Sequence, residues 1–483
     1  MTNNFTNKIY NFIKKTAIIA LSIIFIITTS SCKKEITINN PIALGFIDNT
    51  AHIINDKNET LVLNNYDQVL PIFDTYLMVK KDDKWGFISN TGKEIMDIKY
   101  DAISRMKEDK AVVELDGKTM IINSSGETLY TFSDNITSHS YFNENLLLIE
   151  KDGLLGYLSY NNETKKFSIL VEPTYLYADI FYEGKAVVGK LITEEITENN
   201  ETQVIEKVKY TYLNNDGTLF YNDFIFDEAD RFSEGFAKVG TSTSSEMTYS
   251  YISNVLSYDN KLQYLTYQNT TKVVSKGYGT RMKNGLVFVA DYVKYDIDDD
   301  NEATDYYKNY EFISPSGELK YEVELSNYSK PTPQSFLPLN PFYIDDTFIF
   351  LNGSKRTSVW NVVRQTSYQL FNDINNEYYV DYDFINVPLT LSEDDEIIKE
   401  FMEINDCNYK FATTYLGSPY EMGEVKFNQT LNQHIMMARI YGNRCGLISI
   451  TTTPNENPKE NNLDKFSVVV KYISSIVYDN IVY

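Results

Sequence analysis

The chain of 483 residues carries 44 basic and 67 acidic side chains, which gives a formal net charge of −23. This excess of acid argues against nucleic acid as a partner, because nucleic-acid phosphates attract basic surfaces. Apolar residues make up 43% of the sequence, and 39 Tyr and 27 Phe can fill a large interior and favour strands. We therefore expect a folded, strand-rich protein whose acidic side chains lie mostly in solvent.

Residues 1–31 have the features of an export signal. Three lysines precede the apolar run 16–28, which is too short for a membrane span of roughly 20 residues. Small residues at 29–31 then stand directly before Cys32. This pattern resembles a bacterial lipobox, although Thr29 stands where that family usually has Leu. The resemblance implies a signal peptide over 1–31, a lipid on Cys32 that anchors the chain to a membrane, and a lipidated tether over 32–42.

A short unit recurs along the remaining chain. Its first element is an apolar strand with a Gly or an aromatic residue in the middle, followed by a turn. The clearest copy is the segment 84–92 (KWGFISNTG), and related strands contain Gly45, Gly156 and Gly446.

A Tyr-Asp pair followed by an apolar residue forms the second element of the unit. It occurs at Tyr66-Asp67, Tyr100-Asp101, Tyr382-Asp383 and Tyr478-Asp479, with the variant Phe226-Asp227. We expect the aromatic ring to pack inward and the Asp carboxylate to accept backbone N–H bonds in the adjoining turn.

The third element alternates small and apolar residues after a polar or Gly turn, as at 110–113, 183–188 and 233–239. A period of two predicts a strand with one buried face. Each unit therefore consists of three or four short antiparallel strands.

The segment 84–115, with Trp85 and Gly86, resembles a WG-containing repeat. The resemblance implies an all-β fold over 43–483, a β-propeller of about seven or eight blades made of WG-like repeats. An open β-solenoid or two smaller propellers are the alternatives. The resemblance to the WG-containing repeat is poor over 255–435. We therefore place irregular insertions at about 255–310 and 321–435. The repeat-defining residues are Gly45, Trp85, Gly86, Gly156, Gly446, Tyr66, Asp67, Tyr100, Asp101, Tyr478 and Asp479.

Three further expectations concern the ends and the insertions. A strand at 35–38 would pair with the half unit 445–483 and close the ring. The extra residues at 194–207, 297–309 and 330–340 would form loops on one face, often the binding face of a repeat array. Ser392 would cap the one expected helix, at about 392–404, whose apolar stripe is 397, 398, 401 and 402.

Few residues have the pattern of a chemical site. Asp296, Asp298 and Asp300 have the spacing with which a calcium loop begins, but the Gly and the bidentate Glu of such a loop are missing, which favours a solvated acidic loop. Only three histidines occur, which argues against a zinc site or a histidine-based triad. We assign no catalytic residue and no cofactor. Cys407 and Cys445 could form a disulfide, but their spacing does not require one.

These features support two functional hypotheses. The first is a lipid-anchored, monomeric, non-enzymatic binding or scaffold protein of the bacterial cell envelope, facing the periplasm or the exterior. Its ligand would be a protein or a glycan. The second is a glycan-active hydrolase on a propeller scaffold, which needs two carboxylates in the central mouth.

Overall fold

The computed structural model describes residues 37–483 with gaps, namely 134, 139, 199–200, 244–245, 284, 296–303, 324–341, 345–347, 353–356, 362–365, 370–391, 406, 417–420, 423–425, 441–442 and 455–465.

Strands make up most of the described structure. In chain order they are β1 (Pro41–Ile47), β2 (Thr50–Asn55), β3 (Thr60–Val62), β4 (Gln68–Val69), β5 (Tyr76–Lys81), β6 (Lys84–Ser89), β7 (Ala102–Ile103), β8 (Ala111–Leu115), β9 (Lys118–Ile122), β10 (Thr128–Thr131), β11 (Leu146–Lys151), β12 (Leu154–Asn161), β13 (Lys166–Tyr175), β14 (Tyr177–Ala178), β15 (Lys185–Glu198), β16 (Glu201–Asn214), β17 (Glu228–Ala229), β18 (Phe236–Thr243), β19 (Glu246–Ser253), β20 (Ser275–Lys276), β21 (Tyr278–Gly279), β22 (Val287–Tyr295), β23 (Thr304–Ile313), β24 (Leu319–Val323), β25 (Phe342–Ile344), β26 (Phe348–Asn352), β27 (Thr357–Asn361), β28 (Thr366–Gln369), β29 (Glu421–Met422), β30 (Lys426–Asn428), β31 (Gln433–Ile440), β32 (Arg444–Pro454), β33 (Phe466–Tyr472) and β34 (Asn480–Val482). Two helices, α1 (Glu396–Ile404) and α2 (Tyr409–Leu416), lie between β28 and β29.

The strands form small antiparallel sheets that follow one another along the chain. The sheet orders are β3-β2-β1-β34, β4-β5-β6, β10-β9-β8-β7, β11-β12-β13, β14-β15-β16, β17-β18-β19-β20, β21-β22-β23-β24, β25-β26-β27-β28, and β29-β31-β32-β33 with β30 on β31. Eight small sheets form the blades of a β-propeller ring. The sheet β25–β28 is described for its backbone alone. The predicted all-β propeller is thereby confirmed.

The ring is closed by the first sheet. Strand β34 pairs antiparallel with β1 through Leu44 with Val482, Gly45 with Ile481 and Phe46 with Asn480. Of the segment 35–38, which was predicted to pair with the last unit, the structure describes residues 37 and 38. For these two residues the prediction is wrong. Ile38 lies outside any strand, and its N–H donates to the Thr91 carbonyl at 3.0 Å, beside a different sheet.

The hydrophobic core lies mainly between successive sheets rather than within them. Met78 and Phe87 of the second sheet, for example, pack with Tyr100, Ala111 and Val113 of the next. Burying side chains of this size contributes roughly 1.5–3 kcal/mol each. Since each sheet needs its neighbour to cover its apolar face, the blades depend on one another for stability.

The helices depart from the prediction. Helix α1 begins at Glu396 and not at Ser392, because Asp395 is the capping residue and accepts the Ile397 N–H at 2.9 Å. The predicted stripe does place Ile398 and Phe401 in the core. Helix α2 was not predicted, and it adds to the same cluster with a weaker apolar stripe, Ala412 and Leu416.

The extra residues at 194–207 do not form the predicted loop. They extend the hairpin of β15 and β16, whose pairing runs without interruption from Lys185 with Asn214 to Glu198 with Glu201. The segment 297–309 similarly supplies the beginning of β23 from Thr304 onward, while 330–340 lies outside the described residues. Long hairpins therefore project from the sheets where loops were expected.

Candidate functional site

The repeat-defining residues occupy equivalent places in different blades. The backbone N–H of Trp85 donates to the carbonyl of Tyr100 at 2.7 Å, and that of Cys445 donates to Tyr478 at 2.8 Å. Tyr210 and Phe226 make the same contact at 2.9 Å. The first and second elements of the sequence unit are thus joined by one recurrent bridge.

The repeated glycines lie where a neighbouring segment approaches the backbone. A Cβ added at Gly86 would lie 2.9 Å from Ile98 Cα, and one at Gly446 would lie 2.9 Å from Ile476 Cγ1. At Gly156 it would lie 2.7 Å from the backbone nitrogen of Pro173, and at Gly45 it would overlap the Tyr478 ring. Glycine is therefore required at these positions for packing and not for an unusual φ angle.

The Asp of the Tyr-Asp pair makes the predicted backbone contact in four copies. Its Oδ2 accepts the N–H of a residue in a nearby hairpin, which lies in the turn in three copies and near the end of strand β18 in the fourth. The pairs are Asp67 with Asp82 at 2.6 Å, Asp101 with Asp116 at 2.9 Å, Asp227 with Ser242 at 2.9 Å, and Asp479 with Asp48 at 2.8 Å. The carboxylate therefore accepts a backbone N–H in these four copies, but the donor is 15 positions further along the chain in three of them and at Asp48 in the fourth.

Three of these carboxylates also pair with a cation from an earlier strand. Lys84 pairs with Asp101, Lys209 with Asp227 at 2.9 Å, and Arg444 with Asp479 at 2.6 Å. Lys84 and the Asp116 N–H hold the pKa of Asp101 below its ordinary value. Burial opposes this effect at Asp227, but the Ser242 N–H and Lys209 still lower its pKa. The motif therefore joins two sheets as well as fixing a turn.

A chain of glutamates links successive blades, and sequence reasoning missed it. Each Glu begins a two-residue turn and accepts N–H bonds from the equivalent turn of the following sheet. The carboxylate of Glu108 accepts the N–H groups of Glu144 and Asn145 (2.7 and 2.9 Å), and that of Glu144 accepts the N–H of Gly184 (2.9 Å). The carboxylate of Glu183 accepts the N–H groups of Glu234 and Gly235 (2.5 and 2.8 Å), and that of Glu234 accepts the N–H of Gly285 (2.6 Å). The available signal was a Glu at the same point of each turn.

A cleft of about 210 Å³ lies between the sheets β14–β16 and β17–β20. Tyr177 and Tyr210 come from the first sheet, and the rest of the lining comes from the second and the residues beside it. That lining comprises Asp227, Glu228, Ala229, Asp230, Lys238, Gly240 and Tyr249. A Cβ at Gly240 would lie 2.9–3.2 Å from Met247, Glu228 and Tyr249, so a larger residue there would crowd the cleft.

The polar groups of the cleft are held by one another. Asp230 pairs with Lys238 at 3.2 Å and with Arg281 of the following sheet at 3.0 Å. The Tyr249 hydroxyl donates to Glu228 at 2.9 Å. Burial alone would raise the pKa of Asp230, but Arg281 and Lys238 hold this pKa below its ordinary value. The carboxylate therefore stays ionised at neutral pH.

One aromatic ring of the cleft is open to solvent. Tyr177 is 41% exposed, and it meets Tyr210 edge to face with ring centroids 5.3 Å apart. The ring of Tyr249 is partly covered by Lys238, whose Nζ lies 4.7 Å from the centroid. Tyr177 is thus an exposed aromatic residue beside oriented carboxylate and ammonium groups.

Several predicted sites are not part of this arrangement. Cys32, the triplet Asp296, Asp298 and Asp300, and Tyr382-Asp383 lie outside the described residues. Within the described part of the chain, no cluster of His, Cys, Asp and Glu could hold a metal ion. Cys407 and Cys445 are not joined by a disulfide bond. Among the helices that are described, none has the length and apolarity needed to cross a membrane.

Comparison with known proteins identifies the repeats. The family model for the WG-containing repeat matches residues 85–118 and 210–240. A search of curated proteins found no match. Among solved structures, the chain is similar to the tricorn protease at 9% identity with a TM-score of 0.25. The match covers 88% of this chain and 39% of the protease chain. The matched segments contain the Trp85–Tyr100 and Tyr210–Phe226 bridges, and the chain therefore contains WG-type repeats at these two places.

Proposed function

We propose that this protein is a lipid-anchored, non-enzymatic binding protein of the bacterial cell envelope, which recognises a protein or a glycan. The observation that supports binding most directly is the cleft between β14–β16 and β17–β20. It combines an exposed Tyr177 ring with fixed polar groups of both signs, and binding sites commonly have this composition. The sequence pattern that precedes Cys32 supports the anchor.

The charge state of two of the three cleft carboxylates does not suit a hydrolase that would use this cleft. A glycoside hydrolase needs one carboxyl group that carries a proton, and its pKa must be raised. Asp227 and Asp230 instead have lowered pKa values, because Lys209, Lys238 and Arg281 stabilise their ionised forms. Both are held as anions, which suits hydrogen-bond acceptance rather than proton donation.

The anchor is tested with the full chain produced in a bacterium that processes lipoproteins. We expect incorporation of labelled palmitate and recovery with membranes, and both should be lost in Cys32→Ser. Cys407→Ser is the control, because it removes a thiol from the folded part of the chain. Palmitate labelling that persists in Cys32→Ser would refute the anchor.

The binding role is tested separately. The full chain in detergent is applied to glycan and envelope-protein arrays, and each bound glycan is then analysed by chromatography for shortened products. We expect retention without cleavage. Release of shortened glycan would instead establish the hydrolase hypothesis.

A further inference from the structure

We infer that the cleft binds one ring of a neutral oligosaccharide, stacked on Tyr177. This inference rests on the proposed binding function and names its ligand class. A pyranose ring has a flat apolar face edged by hydroxyl groups, and it needs an aromatic surface with hydrogen-bonding groups beside it. The cleft supplies both within one space.

The aromatic part is provided by Tyr177. Its ring is fixed by the perpendicular contact with Tyr210, yet 41% of the residue remains exposed. A ring that is already held in place loses little conformational freedom when a ligand stacks on it, which favours affinity. Gly189 helps to fix the geometry, because a Cβ there would lie 3.0 Å from Tyr210 and 3.1 Å from Tyr177.

The hydrogen-bonding part surrounds the carboxylate of Asp230. Lys238 and Arg281 hold this group from two sides, and Glu228 is oriented by the Tyr249 hydroxyl. Vicinal hydroxyl groups can donate to such carboxylates and accept from the lysine ammonium. Hydrogen bonds to charged partners of this kind are stronger than those between neutral groups.

The cleft favours a neutral ligand because its three carboxylates outnumber its one ammonium group, and two of these carboxylates are already paired with cations. Asp227 is paired with Lys209, and Asp230 is paired with both Lys238 and Arg281. An anionic glycan would be repelled by the carboxylates, and a cationic one would compete with pairs that are already formed. The volume of about 210 Å³ is below the roughly 300–1,000 Å³ of drug-sized pockets, so it suits a single sugar ring.

The test uses the full chain in detergent and a defined panel of probes. The neutral probes are cellohexaose, xylohexaose, mannohexaose and chitohexaose, the anionic probes are heparin and polygalacturonate, and an envelope-protein array is screened in parallel. Binding is measured by calorimetry for wild type, Tyr177→Ala, Tyr177→Phe and the control Tyr258→Ala. Tyr258 is a fully exposed tyrosine that does not line the cleft.

We expect at least one neutral hexasaccharide to bind. Tyr177→Ala should weaken it by about tenfold or more, whereas Tyr177→Phe should keep affinity within about threefold because the ring is retained. Tyr258→Ala should leave affinity unchanged. The affinity should also change by less than about twofold between low and high salt, since no net charge is neutralised.

Each result other than the expected one refutes a different part of the proposal. Neutral binding that is unchanged in Tyr177→Ala refutes this site. Binding of heparin or polygalacturonate alone refutes the neutral ligand class. Binding on the protein array alone refutes a glycan ligand but leaves the binding function intact, whereas no binding to any probe refutes both.

Discussion

The chain of glutamates between blades gives a directional prediction. Glu183 accepts the N–H groups of Glu234 and Gly235 at 2.5 and 2.8 Å, both in the turn of the following sheet. Glu183→Ala removes both acceptors without touching the core. The two amides should then exchange with solvent more readily, while the turn at Glu144 and Asn145, which Glu108 holds, should be unaffected.

The size of the effect follows from the two lost bonds. A typical hydrogen bond contributes about 1 kcal/mol net, and bonds to charged acceptors contribute about 1.5–3 kcal/mol. Both bonds here are exposed to solvent, so water can replace the lost acceptor. We therefore expect a loss of about 1–2 kcal/mol for the pair, and roughly half of that for Glu183→Gln, which keeps one neutral acceptor oxygen.

Hydrogen exchange measured by mass spectrometry on peptides covering 233–236 and 143–146 tests the direction of the effect. Urea unfolding gives its size. Glu163→Ala is the matched control, since this exposed Glu lies in a turn outside the chain of glutamates. If exchange at 233–236 were the same in Glu183→Ala as in Glu163→Ala, or if both peptides changed equally, the blade-to-blade role would be refuted.

Three further predictions concern the repeat and the cleft. Gly156→Ala should destabilise the protein by about 1–3 kcal/mol in urea unfolding, because the added Cβ meets backbone atoms near Pro173. Gly153→Asn, with open space around the residue, should cost less than about 1 kcal/mol, and equal losses would contradict the packing argument. Asp479→Ala should speed hydrogen exchange in β1 without changing exchange in β8 or β9, because the Asp48 N–H and Arg444 lose their carboxylate partner. An equal increase in exchange in β1, β8 and β9 would argue against a local role. The folded-state pKa values of Asp227 and Asp230 are lowered, so the stability from their ion pairs is present above the ordinary value of 3.8 and is lost as pH falls through the folded values. Unfolding midpoints at pH 6 and pH 3 should differ less in Asp230→Asn than in wild type, and an unchanged difference would exclude this contribution.

The repeat could be predicted because its chemistry is local. Asp67 and Asp101 each accept a backbone N–H from a residue 15 positions further along the chain, and Gly86 and Gly446 mark the same close approach, so each copy carries its own signal in sequence. The ring followed from the number of units and from the tendency of sheets to remove exposed edges. The strand that closes the ring could not be predicted, because β34 has only three residues and its register depends on packing against β1.

The cleft could not be predicted for a different reason. Tyr177 lies in one sheet, and Asp230 and Tyr249 lie in or beside the next, so only the distance between two neighbouring sheets brings them together. The glutamate turns were visible as residues, but whether Glu183 reaches Gly235 depends on that same distance. Helix α2 was missed because its apolar stripe is weak, and its burial is decided by the sheet beneath it.

The pairing of β1 with β34 has a kinetic consequence. Asp48 and Asp479, which meet at this seam, are separated by 431 positions, so the first blade stays incomplete until the last described strand has been synthesised. Loop-closure entropy rises only slowly with length, but such distant pairing slows folding. We expect a late, slow phase in refolding that corresponds to the pairing of β34 with β1. Faster assembly of adjacent blades should precede this phase.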